Sequence, residues 1–278
     1  MKSRNKIISD AIFKLYQLDI SNYDDTFLHT STTKRMIETN SKSIEEYLKL
    51  FETESTEIGL FVEALQVNYS EFFRNTLTFS ILESIIIPEL VQKHTDKSEI
   101  RIWSAACASG QEVYSVSMIL NEYLTEKQTE FRIFSTDIAL NQVEAAKNGK
   151  YNISALGNVS LRRLNRWFEK QDGNYGVKNI LKEKIEFSTF DLLNKQYNCP
   201  PTSIFGGFDL IFCSNVLFYY KPEIRKKIID KLGKSLSTQG YLITSETERD
   251  ILCQQIFHEV YPQSGIFKKV NQLKNQLL

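Results

Sequence analysis

Cysteine is scarce in this chain, and the four present, Cys107, Cys199, Cys213 and Cys253, form no C-x-x-C pair and fall at no metal-ligand spacing. A zinc site and a disulfide framework are both excluded, no metal is expected, and a reduced setting is implied. The three histidines, His29, His94 and His258, are isolated from one another and read as structural or surface residues. No stretch approaches the roughly 20 apolar residues of a membrane span, and the N-terminus lacks an apolar signal core. A cytoplasmic chain without membrane insertion is therefore expected. Neither charge sign is in excess, with 34 basic and 34 acidic residues, so no global attraction to a polyelectrolyte follows. The G-x-G-x-x-G fingerprint is also missing, which argues against a dinucleotide.

What is present is a chain of 278 residues, 42% of them apolar, long enough to bury a core in one large domain or two small ones. Its most informative stretch is Ile100-Arg-Ile-Trp-Ser-Ala-Ala-Cys-Ala-Ser-Gly-Gln-Glu112, an apolar strand running through small residues into a helix. Ala105, Ala106, Ala108, Ser109 and Gly110 let backbone approach a ligand closely, and the following helix offers unpaired N–H groups. One helix and one strand later, Phe131-Arg-Ile-Phe-Ser-Thr-Asp-Ile138 ends in an acidic residue, Asp137, the usual partner of ribose hydroxyls in doubly wound folds. Together they suggest an adenosine-containing ligand. The alternative is a tight turn that packs without ligand, with Asp137 capping the next helix.

Residues 1 to 66 read as a small helical domain: Ile7, Ile8, Ala11, Ile12 and Leu15 follow helical spacing, as do Ile44, Tyr47, Leu48 and Phe51. His29–Thr33 and Thr39–Ser43 read as breaks between helices. From Ile100 the pattern alternates, with strands expected at 100–106, 131–137, 184–190, 208–214 and 240–245 and helices at about 111–125, 140–148 and 222–236. This predicts an α/β fold with a mainly parallel sheet wrapped by helices, in a second domain over 67–278. Within an insert at about 150–184 come a helix at Leu161–Phe168 and a Gly/Asn-rich region, Gln171–Lys178, able to form a hairpin. A helix at about 248–259 and a last strand, Gly265–Val270, follow.

Several phrases in order, Asn68-Tyr-Ser-Glu-Phe-Phe-Arg74, Trp103–Ser115, Phe134–Ile138, Gly149-Lys-Tyr151, Phe187–Tyr197, Phe208–Tyr219 and Gly240–Glu246, resemble the chemotaxis receptor glutamate methyltransferases of the CheR type. The resemblance spans nearly the whole chain. It implies a Rossmann-like class I methyltransferase sheet with a small N-terminal helical domain, a small β-subdomain insert, and the last strand antiparallel at the sheet edge. It further implies S-adenosylmethionine as methyl donor, with S-adenosylhomocysteine as product, and chemoreceptor cytoplasmic helices as protein substrate. Carried over by position, Asn68, Ser70 and Arg74 approach the cofactor, with Ala106, Gly110, Glu112 and Asp137 at the first two strand ends. Asp191, Leu192, Ser214 and Asn215 close the adenine and methionine sides. Arg74 and Tyr219 are the catalytic candidates: the Arg74 guanidinium can orient a carboxylate by paired hydrogen bonds, and Tyr219 borders the methyl group. Phe72 and Phe73 are expected in the core.

This chain departs from the family's pattern at Ser214, where Arg is usual, at Asp191 in place of Asn, and at Gln111-Glu-Val113. Its first 66 residues hold eleven acidic and eight basic residues, leaving Lys34, Arg35, Lys42 and Lys49 as candidates to meet an acidic receptor helix. The insert hairpin is short, so docking of a receptor tail by strand addition is not expected. A monomer is expected. The competing readings are a regulatory homologue that binds S-adenosylmethionine or S-adenosylhomocysteine with little or no turnover, suggested by Ser214, and a nucleic-acid methyltransferase. The latter rests on Arg162, Arg163, Arg166, Lys170, Lys178, Lys182 and Lys184; no Asn/Asp-Pro-Pro-Tyr/Phe phrase accompanies them, and no nucleic acid is expected.

Overall fold

The computed structural model describes residues 2–66, 69–94, 98–125, 129–253 and 256–270. Contacts divide the chain into two units, Met1–Val67 with Phe218–Lys226, and Asn68–Leu217 with Lys227–Leu278. Residues 218–226, expected with the second domain, belong to the first unit. There Tyr23 stacks on Tyr220 at 5.3 Å, the Lys221 N–H donates to the Asn22 carbonyl, and Arg225 faces Asp24 at 3.8 Å. Such pairings join residues about two hundred positions apart and leave no local sequence signal.

The first unit is built from helices Lys2–Tyr16, Asp25–Glu38, Ile44–Thr53 and Glu57–Ala64. Ile8, Ile12, Leu28, Tyr47, Phe51 and Phe61 form its core. Two of the starts carry side-chain caps: Asp24 accepts from Thr26 and Phe27, and Ser43 accepts from Glu46. The break expected at His29–Thr33 does not occur, because those residues lie inside Asp25–Glu38, where Leu28, Ser31, Thr32 and Met36 are buried. Weak helix formers are tolerated there because packing outweighs propensity, and Thr30 returns its hydroxyl to the Thr26 carbonyl.

Seven strands form the main sheet of the second unit: β1 (Ile100–Ser104), β2 (Phe131–Asp137), β6 (Ile185–Thr189), β7 (Phe208–Phe212), β8 (Leu236–Ile243), β9 (Phe257–Glu259) and β10 (Ile266–Lys269). Their spatial order is β6-β2-β1-β7-β8-β10-β9. The first five are parallel; β10 pairs antiparallel with β8, and β9 antiparallel with β10. All five β7 residues are buried, the near-continuous apolar reading expected where helices cover both faces. Helices Gln111–Tyr123 and Leu140–Asn148 supply crossovers, and Pro222–Ser235 precedes β8. Between β2 and β6, β3 (Lys150–Tyr151), β4 (Phe168–Gln171) and β5 (Asn174–Val177) make a second, antiparallel sheet in the order β3-β5-β4. Asp172 and Gly173 both adopt positive φ, 49° and 79°, the requirement of the tight β4–β5 hairpin turn.

Two expectations near the C-terminus need correction. The helix there is short, Arg249–Cys253, and Phe257–Glu259 is a strand; the edge is β9, while β10 lies between β8 and β9. A short apolar run is ambiguous between helix and strand until a partner is known, and here β10 supplies the partner in a hairpin.

Candidate active site

The turn after β1 is held from both sides. The Ala105 N–H donates to the Phe212 carbonyl of β7, and the Cys107 N–H to the Thr136 carbonyl of β2, each at 2.9 Å. Ala108 adopts φ +45° and Gly110 φ +94°, and Gly110 precedes the helix Gln111–Tyr123. A Cβ on Gly110 would lie 3.0 Å from the Ala146 Cβ, so glycine serves both the backbone angle and the approach of the helix Leu140–Asn148. Ala106 is half-buried on the same turn.

Asp137, at the end of β2, closes this turn with one carboxylate oxygen on the Ala108 N–H at 2.9 Å, and its other oxygen accepts from the Ala139 N–H at 3.0 Å. Asp137 thus ties the small-residue turn to Ala139, the residue before the helix Leu140–Asn148. Burial pushes its carboxyl above the ordinary range despite these donors.

Glu112, in the first turn of the helix, accepts from the Ser104 hydroxyl at 2.9 Å. Burial raises its carboxyl to about 7; hydrogen bonds from Ser104 and Ser214 and the positive charge of Arg74 pull the other way. Among the described residues it has no ion-pair partner. Cys107 and Cys213 are buried beside these strand ends, and burial pushes the Cys107 thiol up to about 12, so it is no thiolate nucleophile.

Past β7, Asn215 takes φ +62° and donates its N–H to Glu248 at 2.6 Å; the Leu217 N–H reaches the other oxygen of Glu248 at 2.6 Å. Thr244 and Ser245 hydroxyls complete the grip on Glu248, which is fully buried. Glu248 was missed in the sequence. Its signal was there, as Ser245-Glu-Thr-Glu248 has the S-x-x-E spacing of a capping box, and Ser245 does precede a short 3₁₀ turn. Past β6, Asp191 accepts the Leu193 N–H at 2.7 Å and Leu192 is buried.

The described candidates Ser70, Arg74, Ala106, Gly110, Glu112, Asp137, Asp191, Leu192, Ser214 and Asn215 all belong to the second unit; Asn68 lies outside the described residues. Arg74 is exposed, donates to the Tyr69 carbonyl at 3.3 Å and covers the Tyr69 ring at 5.1 Å. It makes no ion pair among the described residues. Phe72 and Phe73 are buried as expected. Tyr219 belongs to the first unit, where its ring packs on Phe27 at 4.6 Å.

The basic residues of the insert are largely engaged. Arg163 pairs with Glu122 and Glu83, Lys184 pairs with Glu130, Arg166 stacks on Trp167, and Lys182 donates to the Asn148 carbonyl. In the first unit, Arg35 is also withdrawn from any outward role, held by Glu57 at 2.6 Å and by Glu38 at 2.5 Å. No helix among the described residues is long and apolar enough to cross a membrane.

The family described as "CheR methyltransferase, SAM binding domain" matches residues 68–260, the span that carries every strand end described above. The chain belongs to the CheR methyltransferase family. It is 33% identical over 230 residues to chemotaxis protein methyltransferase 1 of Pseudomonas aeruginosa, covering 80% of this chain and 81% of that protein. The chemotaxis protein methyltransferase of Borreliella burgdorferi is 32% identical over 217 residues, 74% of each chain. That of Salmonella typhimurium is 29% identical over 255 residues, 87% of this chain and 84% of the other. The family member described here is a methyltransferase that uses S-adenosylmethionine, on an α/β fold with a mainly parallel sheet.

Proposed function

We propose that this methyltransferase esterifies glutamate side chains on the cytoplasmic helices of chemoreceptors, acting in the cytoplasm as a monomer. The observation that carries the reading is Glu112, a half-buried carboxylate in the first turn of a helix, served by hydroxyls and without an ion-pair partner among the described residues. Such a group fits a cationic amine better than a neutral ligand, and the donor set around it fits the remainder of S-adenosylmethionine. Asp137 suits a ribose diol, and the turn from Ala106 to Gly110 allows close backbone approach. Leu192 offers an apolar wall for adenine, with Asp191, Ser214, Asn215 and Ser70 as polar neighbours.

S-adenosylmethionine, which Glu112, Asp137, Leu192 and the turn from Ala106 to Gly110 would hold, would supply a sulfonium-bound methyl group for transfer to a carboxylate oxygen, with S-adenosylhomocysteine as the leaving group. No general base is required, because a glutamate with a reference pKa near 4.3 is already ionised at neutral pH. What remains for the protein is alignment and exclusion of water. Arg74, exposed and without an ion-pair partner among the described residues, is the group suited to orient a carboxylate by a paired hydrogen bond. The names of the relatives from Pseudomonas, Borreliella and Salmonella support chemotaxis as the setting.

The test is incubation with methyl-labelled S-adenosylmethionine and receptor signalling domains, counting alkali-labile label released as methanol. Release that falls at least about a hundredfold in Arg74→Ala is expected, on the scale of removing a transition-state contact. Saturable cofactor binding with no release on any receptor domain would sink the reading in favour of a silent homologue.

A further inference from the structure

Arg74 follows a residue in a costly backbone state. Phe73 has φ +49°, a region that a bulky side chain rarely occupies, and it is buried. Two supports hold it there. Its N–H donates to the Ser115 hydroxyl at 3.0 Å, and that hydroxyl donates onward to the Gln111 carbonyl at 2.7 Å, so the fully buried Ser115 ties the Phe73 backbone to the helix that begins beside Gly110. On the side-chain face, the Arg163 guanidinium lies 4.7 Å from the Phe73 ring centroid. Arg163 is itself fixed: its Nε and one terminal nitrogen reach Glu122 at 3.0 and 2.8 Å, and the same terminal nitrogen reaches Glu83 at 2.8 Å. Glu122 in turn accepts from the Trp167 indole at 2.7 Å. Without these supports the backbone at Phe73 would relax toward negative φ, which turns the following residue in a new direction. The residue that turns is Arg74, whose positive charge is felt at Glu112.

We propose that Ser115 and Arg163 are positioning residues for Arg74, acting on it through the left-handed turn at Phe73. Neither is among the strand-end residues assigned to the cofactor. Arg163 comes from the insert, so the helix Leu161–Trp167, which looks like part of a solvated basic face, sets the geometry of the site. The inference rests on Arg74 orienting a carboxylate, as proposed above.

The experiment compares the full-length Ser115→Ala, Arg163→Lys and Arg74→Lys proteins and the two double variants containing Arg74→Lys. Readouts are kcat and KM by methanol release, together with the NMR resonance of the Arg74 Nε–H, assigned by its loss in Arg74→Lys. Ser115→Ala and Arg163→Lys are each expected to lower kcat about five- to tenfold and to shift the Arg74 resonance. In the Arg74→Lys background the further loss shrinks to less than about twofold, because residues acting through one group are not additive. Equal losses in both backgrounds with an unmoved Arg74 resonance would mean that the two residues serve stability alone, and the inference falls. An unmoved resonance in both single variants overturns it even where turnover is too slow to measure. Arg163→Lys keeps the charge at a position nearer the surface and covers the case in which Ser115→Ala does not fold. Failure of the underlying reading is seen separately, as wild-type kcat and KM in Arg74→Lys.

Discussion

The two units treat a carboxylate withdrawn from water in opposite ways, Glu57 buried in the first and Glu112 half-buried in the second. In the first, Glu57 is 2% exposed and closed on every side: Arg35 meets it with two nitrogens, at 3.0 and 2.6 Å, and the Tyr47 hydroxyl donates at 2.7 Å. In the second, Glu112 has hydroxyl donors, feels the Arg74 charge without an ion pair, and is pushed up to about 7. One carboxylate has its counter-charge built into the fold; the other lacks it. The difference shows two ways of holding an acid away from water: Glu57 by a guanidinium placed against it, Glu112 by hydroxyl donors that leave its carboxyl raised.

The sharpest way to break this comparison is to remove the internal counter-charge. Arg35→Ala leaves Glu57 buried and unpaired and is expected to cost the first unit about 3–5 kcal/mol, read from urea denaturation. A loss below about 1 kcal/mol would show that the closed pair is not what holds the unit. Glu112 supplies the next test. Its ionised form is the one that suits a cationic ligand, so affinity for S-adenosylhomocysteine should fall as pH drops below 7, by up to about tenfold per unit. Glu112→Gln should bind more weakly and lose that dependence; calorimetry across pH that gives parallel slopes for both proteins would contradict the assignment.

The same raised carboxyl carries a stability signature of known sign. Folded protein keeps a proton on Glu112 that the unfolded chain, with its value of 4.5, releases, so this group's contribution to stability declines as pH rises from 4.5 to about 7. The smallest expected effect concerns geometry without charge. Gly110→Ala places a Cβ 3.0 Å from Ala146 at a φ of +94° and should lower the second unit's stability by about 1–2 kcal/mol, with Tm as the readout.

Much of the second unit was legible because its signals are local. The strands expected at 100–106, 131–137, 184–190 and 208–214 appear as β1, β2, β6 and β7 within about two residues, and the helix at 140–148 is found with those bounds. Apolar runs ended by Gly, Asp or Asn mark such elements whatever surrounds them. The elements misread depended on distant partners. His29–Thr33 is helical because Thr32 and its neighbours are buried, and Phe257–Glu259 is a strand because β10 pairs with it. Residues 218–226 join the first unit through Tyr23, Asp24 and Asp25.

The sequence by itself determined the alternating α/β order, the small-residue turn before Glu112, the acid at the end of β2 and the kinship with CheR methyltransferases. The first three are written in neighbouring residues, where periodicity and spacing act over a few positions, and the kinship rests on the resemblance of phrases along nearly the whole chain. Only the tertiary structure decided that Arg35 is spent on Glu57, that Glu248 holds the Asn215 turn, and that Ser115 and Arg163 converge on Phe73. Burial and hydrogen bonding between residues tens of positions apart are set by how the chain packs, and no local pattern of residue types encodes which distant partner a buried polar group will find.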